Sequence, residues 1–207
     1  MSAENLHVGV IGATGAVGVE LINVMFDRKF PVGELTLFAS ERSAGKTVET
    51  KFGTKTVALF SVEEAKQCDI VFLAVSGDFA KEYAPKIAEG ALVIDNSSAF
   101  RLNDDVPLIV PEINGHLAKT AKLIANPNCT TAIAAVALWP LHQAFGLKKV
   151  IVSTYQAASG AGQPGMNELR EGLAAGLAGE PVPAEGFSSP LAFNVIPHID
   201  SFQDNGY

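Results

Sequence analysis

A glycine-rich turn between a predicted strand and a predicted helix constrains this chain more than any other segment. The apolar run Leu6–Ile11 predicts a strand, the letters GATGAVG follow directly, and an apolar helix is predicted over Ala16–Phe26. Gly12, Gly15 and Gly18 are spaced three apart, whereas the usual dinucleotide fingerprint reads GxGxxG. Glycine permits a sharp turn and close approach of backbone N–H groups to a pyrophosphate, which the helix dipole attracts. The turn predicts a dinucleotide site; a plain strand-to-helix connection is the alternative.

The rest of the first half alternates short apolar runs with amphipathic segments, which is typical of βαβ units and a parallel sheet. Further strands are predicted over Glu34–Phe38, Ile70–Val75, Ala91–Ile94, Lys122–Ile124 and Lys149–Tyr155. Further helices are predicted over Ser61–Gln67, Phe79–Glu89, Ile113–Lys119 and Thr130–Phe145, with Trp139 in the core. No regular element is predicted after Pro181. The alternating strand–helix pattern ends near residue 130, which predicts a first domain over 1–130 and a second over 131–207.

The loop after the second predicted strand, FASERSAGK, bears on which dinucleotide would bind. It starts near Ser40, where a ribose would be read. Glu41 could accept hydrogen bonds from the ribose hydroxyls of NAD, whereas Arg42, Ser43 and Lys46 would bind the extra phosphate of NADP. Two cations and a hydroxyl against one carboxylate favour NADP. The alternative is a solvated basic loop.

The motif NPNCTT places Cys129 at the first residues of the long apolar helix. Unpaired N–H groups and the positive end of the helix dipole favour a thiolate there, which makes a good nucleophile. A small core residue is the alternative reading. Cys68, between a short helix and an apolar strand, has no such setting and is interpreted as structural. A thiolate combined with a dinucleotide turn indicates an aldehyde dehydrogenase of the phosphorylating kind, because a thioester can exchange hydride with nicotinamide.

Charge and hydropathy narrow the function classes. Lys and Arg number 15 against 22 Asp and Glu, a formal charge of −7, which argues against a nucleic-acid partner. The longest strongly apolar stretch, Thr131–Pro140, is too short to span a membrane, and the start of the chain lacks the pattern of a secretory signal. We expect a cytoplasmic protein with a small-molecule substrate, without a membrane partner or a metal site.

Six segments taken together resemble aspartate-semialdehyde dehydrogenases. They are GATGAVG, FASERSAGK, IDNSSAFR, VPEIN, NPNCTT and STYQAASGAG, in this order along the chain. The resemblance implies NADP-dependent interconversion of L-aspartyl 4-phosphate and L-aspartate 4-semialdehyde through a cysteine thioester, in lysine, threonine and methionine biosynthesis. It also implies a Rossmann-like domain with a mostly parallel sheet, then an incomplete α+β substrate and dimerisation domain, in a homodimer or homotetramer.

The resemblance implies roles for individual residues. The implied cofactor-binding residues are Gly12, Thr14, Gly15, Ala16, Val17, Gly18, Ser40, Arg42, Ser43, Ser159 and Gly160. Thr14 to Val17 would contact the pyrophosphate, Arg42 and Ser43 the ribose phosphate, and the last two the nicotinamide end. Arg101 and Asn128 would bind the phosphoryl group or inorganic phosphate, Cys129 would be the nucleophile, and Gln156 would orient the acyl group. For Arg101, a surface ion pair with Asp104 or Asp105 is the alternative.

The sequence departs from the family in length, since family members are considerably longer. None of the four histidines, His7, His116, His142 and His198, matches the family's catalytic histidine. We therefore expect a fragment of the enzyme, or a truncated relative that binds the cofactor with little turnover. The alternatives are an enzyme similar to N-acetyl-gamma-glutamyl-phosphate reductase, a non-catalytic NADP-binding module and, from a third class, a purely structural interaction protein.

Overall fold

The computed structural model describes residues 5–199 and residue 204. The chain divides into two compact units between Thr154 and Tyr155, and each is treated by itself. The strands are β1 (Leu6–Ile11), β2 (Val32–Ala39), β3 (Thr47–Thr50), β4 (Gly53–Leu59), β5 (Ile70–Leu73), β6 (Leu92–Asp95) and β7 (Leu123–Ala125). The helices are α1 (Ala16–Asp27), α2 (Val62–Ala65), α3 (Gly77–Ile87), α4 (Pro111–Asn114), α5 (Cys129–Phe145) and α6 (Gly162–Ala178). Within the described residues, no helix combines the length and apolar character needed to cross a membrane.

All seven strands form one sheet in the order β3-β4-β2-β1-β5-β6-β7. Every pairing is parallel except that of β3 with β4, which is antiparallel. From β1 the chain first builds one half of the sheet and then returns to build the other half from β5. The order therefore reverses between β1 and β5, and such a reversal is where open α/β sheets bind ligands, outside the carboxyl ends of the strands.

Both faces of the sheet are covered by apolar side chains. On one face, Val8 and Val10 of β1 pack with Ile22 and Met25 of α1. On the other face, Ile11 joins a cluster with residues of α2 and α3 that includes Ala65, Ala80, Ala84 and Ile87. The alternation along β1 follows from the period of two of a strand. The predicted α/β fold, with a Rossmann-like, mostly parallel sheet, is confirmed.

The structure corrects several predicted elements of the first unit. The hairpin of β3 and β4 was not predicted; Gly53 follows its turn with φ of 89°. The helix expected over Ile113–Lys119 is instead α4 followed by a 3₁₀ turn over Gly115–Lys119. The strand expected over Lys149–Tyr155 is wrong, because these residues have no strand conformation and pair with no other strand of the described chain. The expectation that Trp139 lies in the core is also wrong: it is half-buried and stacks on His142.

The second unit contains a 3₁₀ turn over Ala158–Ala161 and the helix α6, which was not predicted. Helix α6 ends at Gly179, which takes the left-handed conformation with φ of 76°. The Glu168 carboxylate on α6 accepts hydrogen bonds from the backbone N–H groups of Glu185 (3.2 Å) and Gly186 (2.6 Å). These bonds fasten the irregular segment after Pro181 to the helix. The predicted boundary at residue 130 stays a prediction.

Candidate active site

The glycine turn lies at the point where the strand order reverses. Gly12 has φ of 83°, and a Cβ there would stand 2.2 Å from the Ala74 carbonyl oxygen, directly after β5. A Cβ on Gly18 would stand 2.3 Å from the Gly12 carbonyl oxygen. Gly12 is therefore required both for its backbone conformation and for space, and Gly18 is required for space. The turn directs the first N–H groups of α1, which lack intrahelical acceptors, toward the carboxyl edge of the sheet.

Thr14, Gly15 and Val17 are exposed in this turn, and Ala16 begins α1. The turn is tied to the end of the neighbouring strand, because the Gly12 N–H donates to the Phe38 carbonyl oxygen (3.1 Å). An anion held at this helix start would thus lie beside the loop that follows β2.

That loop is a compact turn with an exposed charged tip. The N–H groups of Ser43 and Ala44 both donate to the Ser40 carbonyl oxygen, at 2.9 and 3.0 Å. Glu41 and Arg42 are exposed, and within residues 5–199 and 204 the salt bridges involve neither of them. The Arg42 guanidinium and the Ser43 hydroxyl thus belong to the loop that directly follows β2, the strand whose end is tied to the glycine turn.

Cys129 is exposed and is the first residue of α5. Asn128 caps this helix: its Oδ1 accepts hydrogen bonds from the backbone N–H groups of Thr130 (3.0 Å) and Thr131 (3.4 Å), and from the Thr130 hydroxyl. The helix start follows β7 at the same carboxyl edge as the glycine turn, three strand spacings or about 14 Å along the sheet. The alternative prediction that Cys129 is a small core residue is wrong, because the residue is exposed.

Arg101 is held by two backbone carbonyls at this edge. Its Nε donates to the Asn126 oxygen (2.9 Å) and its Nη2 to the Asn96 oxygen (3.1 Å). Among the described residues, neither Asp104 nor Asp105 forms an ion pair with it. The surface ion pair considered for Arg101 is therefore absent from this part of the chain. The remaining N–H groups of the guanidinium can bind an oxyanion.

Asn96 and Asn126 were not predicted as site residues, and their side chains are hydrogen-bonded to each other. The available signal was that each lies two residues after a predicted strand. Asp95 was also not predicted; it is fully buried and accepts hydrogen bonds from the Ser97 N–H (2.9 Å) and hydroxyl (2.8 Å). These bonds fix the start of the loop that leads to Arg101.

The second cysteine has a different environment. Cys68 is buried, with its Sγ 3.6 Å from Nε2 of His7. Burial, together with the nearby Glu34 and Asp69 carboxylates, raises the pKa of the Cys68 thiol to about 11. The thiol is therefore protonated near neutral pH, which agrees with its interpretation as structural.

The other predicted site residues lie in the second unit. Gln156 is exposed, and a Cβ on Gly160 would stand 2.6 Å from its Nε2, so glycine lets this side chain lie against the backbone. Ser159 and Gly160 are exposed within the 3₁₀ turn. Of the histidines, His7 lies in β1, His116 in the first unit's 3₁₀ turn, and His142 in α5, where its Nδ1 accepts from the Leu147 N–H (3.2 Å).

The fold, the glycine turn at the strand reversal and the loop after β2 define a protein of the dinucleotide-binding α/β class. Family comparisons specify it further. The family model described as semialdehyde dehydrogenase, NAD binding domain, matches residues 7–121, and the one described as semialdehyde dehydrogenase, dimerisation domain, matches residues 138–207. The chain belongs to the semialdehyde dehydrogenase family.

Curated relatives and solved structures agree with this assignment. The chain is 45% identical to aspartate-semialdehyde dehydrogenase 2 of Vibrio cholerae, over 99% of this chain and 62% of that protein. It is 46% identical to the aspartate-semialdehyde dehydrogenase of Aquifex aeolicus, over 97% and 61% of the two chains. A crystal structure of aspartate semialdehyde dehydrogenase II from Vibrio cholerae complexed with ASA superposes with a TM-score of 0.91, at 44% identity, covering 99% and 62%. The chain therefore spans about three fifths of the length of these relatives.

Proposed function

We propose that this chain carries the cofactor site and the nucleophile of an NADP-dependent aspartate-semialdehyde dehydrogenase. The reaction is the interconversion of L-aspartyl 4-phosphate and L-aspartate 4-semialdehyde, in lysine, threonine and methionine biosynthesis. The observation that carries the proposal is the exposed Cys129 at the start of α5, on the same sheet edge as the glycine turn. Names of relatives at 45–46% identity support the substrate.

The residues at the strand reversal fit a dinucleotide. Backbone N–H groups from Thr14 to Val17 would hold the pyrophosphate, because the tight glycine turn brings the backbone itself to the ligand. Arg42 and Ser43 would hold the ribose phosphate that distinguishes NADP from NAD. When bound, the reduced cofactor supplies the hydride that converts an acyl group to an aldehyde.

In the reductive direction, the Cys129 thiolate would attack the acyl carbon of aspartyl phosphate. The new carbon–sulfur bond replaces the bond from carbon to the phosphate oxygen, and inorganic phosphate leaves with that electron pair. Arg101 would hold the phosphoryl oxygens through its remaining N–H groups, and Asn128 through its Nδ2, since its Oδ1 caps α5. The roles of Gln156, Ser159 and Gly160 stay predictions.

The match to a dimerisation domain over residues 138–207 supports self-association, and we propose a homodimer or homotetramer. The predicted cytoplasmic location stays a prediction.

Nucleotide selectivity tests the cofactor part of the proposal by calorimetric titration with NADP and NAD. Arg42→Ala should weaken NADP binding about tenfold to a hundredfold, because one or more charge-assisted hydrogen bonds to the phosphate are lost. NAD binding should change little. Glu41→Ala is the matched control from the same exposed loop and should not weaken NADP binding. Equal NADP and NAD affinities in the unmodified chain would contradict the choice of NADP.

Acylation tests the chemical part without requiring complete turnover. After incubation with L-aspartyl 4-phosphate, intact-mass and peptide mapping should locate one hydroxylamine-sensitive acyl group on Cys129. Cys129→Ser should carry none, whereas Cys68→Ser should still be labelled. Preferential labelling by N-acetyl-gamma-glutamyl phosphate would favour that enzyme class, and NADP binding without any acylation would favour the non-catalytic module.

A further inference from the structure

Asn96 and Asn126 occupy equivalent places at two neighbouring strand ends. Asp95 and Ala125 are the last paired residues of β6 and β7, and the two asparagines follow them directly. The Asn126 Nδ2 donates to the Asn96 Oδ1 at 2.6 Å. Their backbones continue the sheet's hydrogen bonding, with the Asn96 N–H bound to the Leu73 oxygen (3.1 Å) and the Asn126 N–H to the Asp95 oxygen (2.8 Å). The side-chain amides thus bridge the ends of β6 and β7.

The positions of the Arg101 guanidinium and the Cys129 thiol both depend on Asn96 and Asn126. The Arg101 guanidinium takes one carbonyl from Asn96 and one from Asn126, so its orientation depends on the distance between the two strand ends. Asn126 also begins the short segment that reaches the cap of α5 and Cys129. A displacement of Asn126 would therefore move both the Arg101 guanidinium and Cys129 at the start of α5.

We propose that Asn96 and Asn126 form a positioning pair that sets the geometry of Arg101 and Cys129 as one unit. The proposal deepens the function above and rests on it. Neither side-chain amide is needed to touch the substrate: their mutual hydrogen bond fixes the two carbonyls that hold the guanidinium and the segment that starts α5. Removal of either side-chain amide breaks the bridge between the two strand ends, so each single substitution tests the whole pair.

Alkylation of Cys129 by iodoacetamide, followed by mass spectrometry, measures this positioning in the folded chain. Buried Cys68 reports on folding, since it should remain unlabelled in every folded variant. The rate is recorded without phosphate and over a titration with inorganic phosphate. The variants are Asn96→Ala, Asn126→Ala and their combination, with Arg101→Gln for the anion site. Asn103→Ala is the matched control, because its Oδ1 accepts from the Asp105 N–H within the loop after β6, away from the Asn96–Asn126 bridge.

Each single asparagine variant should slow alkylation of Cys129 about fivefold without phosphate, because the helix start loosens. Each should also raise the phosphate concentration that gives half-protection about tenfold. The double variant should be no worse than the more affected single variant, since the two amides act as one unit. Arg101→Gln should raise the phosphate concentration for half-protection most, because the anion loses its guanidinium, and Asn103→Ala should change neither measurement.

Additive effects of the two substitutions, or unchanged alkylation rates in both single variants, would overturn the positioning pair. If phosphate does not protect Cys129 even in the unmodified chain, the phosphate site assigned to Arg101 is wrong. The rates without phosphate still decide whether the asparagines position Cys129, so the two failures are distinguishable.

Discussion

Helices α1 and α5 are both strongly apolar, yet they differ completely in burial. Helix α1 packs on the sheet and buries Gly18, Ile22 and Met25. Helix α5 is longer and buries none of its residues, with Ile133 72% exposed and Phe145 81% exposed. The residues after it are equally uncovered, since Ile151 is 85% exposed. Apolar composition alone therefore does not decide burial in this chain.

The difference lies in how the apolar residues are distributed around each helix. In α1 the three buried residues share one face, which packs on a single sheet surface, while Val17, Val19, Val24 and Phe26 remain 43–47% exposed. In α5, with the sequence CTTAIAAVALWPLHQAF, the apolar residues surround the helix, a distribution typical of helices that are covered on several sides. We expect the surface of α5 and residues 147–154 to act as an association surface, whereas the sheet region supplies the free energy of folding.

The largest expected effect is a difference in the free energy of unfolding between a substitution in the buried sheet region and one on exposed α5. Ile87→Ala, at a fully buried position on α3, should lower it by about 2–5 kcal/mol, because methylene groups are lost and a cavity remains. Ile133→Ala removes the same atoms from exposed α5 and should change it by less than about 0.5 kcal/mol. Urea unfolding of the two variants measures both values. Similar losses would contradict the division.

A pair of glycines with positive φ should show a smaller difference. Gly53→Ala, at φ of 89° with no atom near its Cβ position, should cost about 1–2 kcal/mol from backbone strain alone. Gly12→Ala adds a clash with the Ala74 carbonyl and should cost about 1–3 kcal/mol more. It should also weaken dinucleotide binding, which Gly53→Ala in the β3–β4 hairpin should preserve. Urea unfolding and nucleotide titration test the pair, and equal costs would argue against close packing at the strand reversal.

Alkaline pH should destabilise the sheet region, where Cys68 is buried. Because folding raises the pKa of this thiol from about 9 to about 11, the folded state favours the protonated form. The resulting stabilisation is fully present below pH 9 and is lost as the pH rises to 11, by about 2 kcal/mol. Unfolding measured at pH 8.5 and 11 should show this loss relative to Cys68→Ala, whose own pH dependence lacks it. Parallel curves would contradict the raised pKa.

The smallest effect on unfolding should come from the uncovered region, where association is the informative measurement. Phe145→Ser with Ile151→Ser should weaken self-association at least tenfold in sedimentation velocity, because apolar contact area is removed from the joined surfaces. The unfolding free energy of the monomer should stay within about 0.5 kcal/mol. Leu102→Ser, at a residue 99% exposed in the loop after β6, is the control and should leave association unchanged. Loss of association in the control alone would place the surface elsewhere.

The sequence predicted the elements whose signals are local. The strand at Leu6–Ile11 has the predicted bounds, and α5 begins one residue before the expected Thr130, because Asn128 supplies the cap. The hairpin of β3 and β4 was missed because its alternation is short and lies within a polar segment. The run Lys149–Tyr155 has strand composition, but a strand forms only beside a partner strand, which a single segment does not reveal.

Site residues followed the same rule. The glycines and Cys129 could be placed because a turn or helix start is encoded within a few neighbouring letters. The pairing of Asn96 with Asn126 could not, because it depends on which strands become neighbours across 30 positions of sequence. The position of Arg101 on two carbonyls depends on the same tertiary pairing. Residues that contact ligands were thus easier to predict than the residues that hold them.

Cys68 lies at the amino ends of the parallel strands and Cys129 at their carboxyl ends, which limits how the two can be oxidised. Cys68 precedes β5, and Cys129 follows β7, so their sulfur atoms are separated by at least the length of a four-residue strand, about 13 Å. A disulfide requires Cα atoms within about 7 Å of each other. A disulfide between Cys68 and Cys129 of one folded molecule is therefore excluded, and an oxidant that couples thiols would join two molecules through the exposed Cys129.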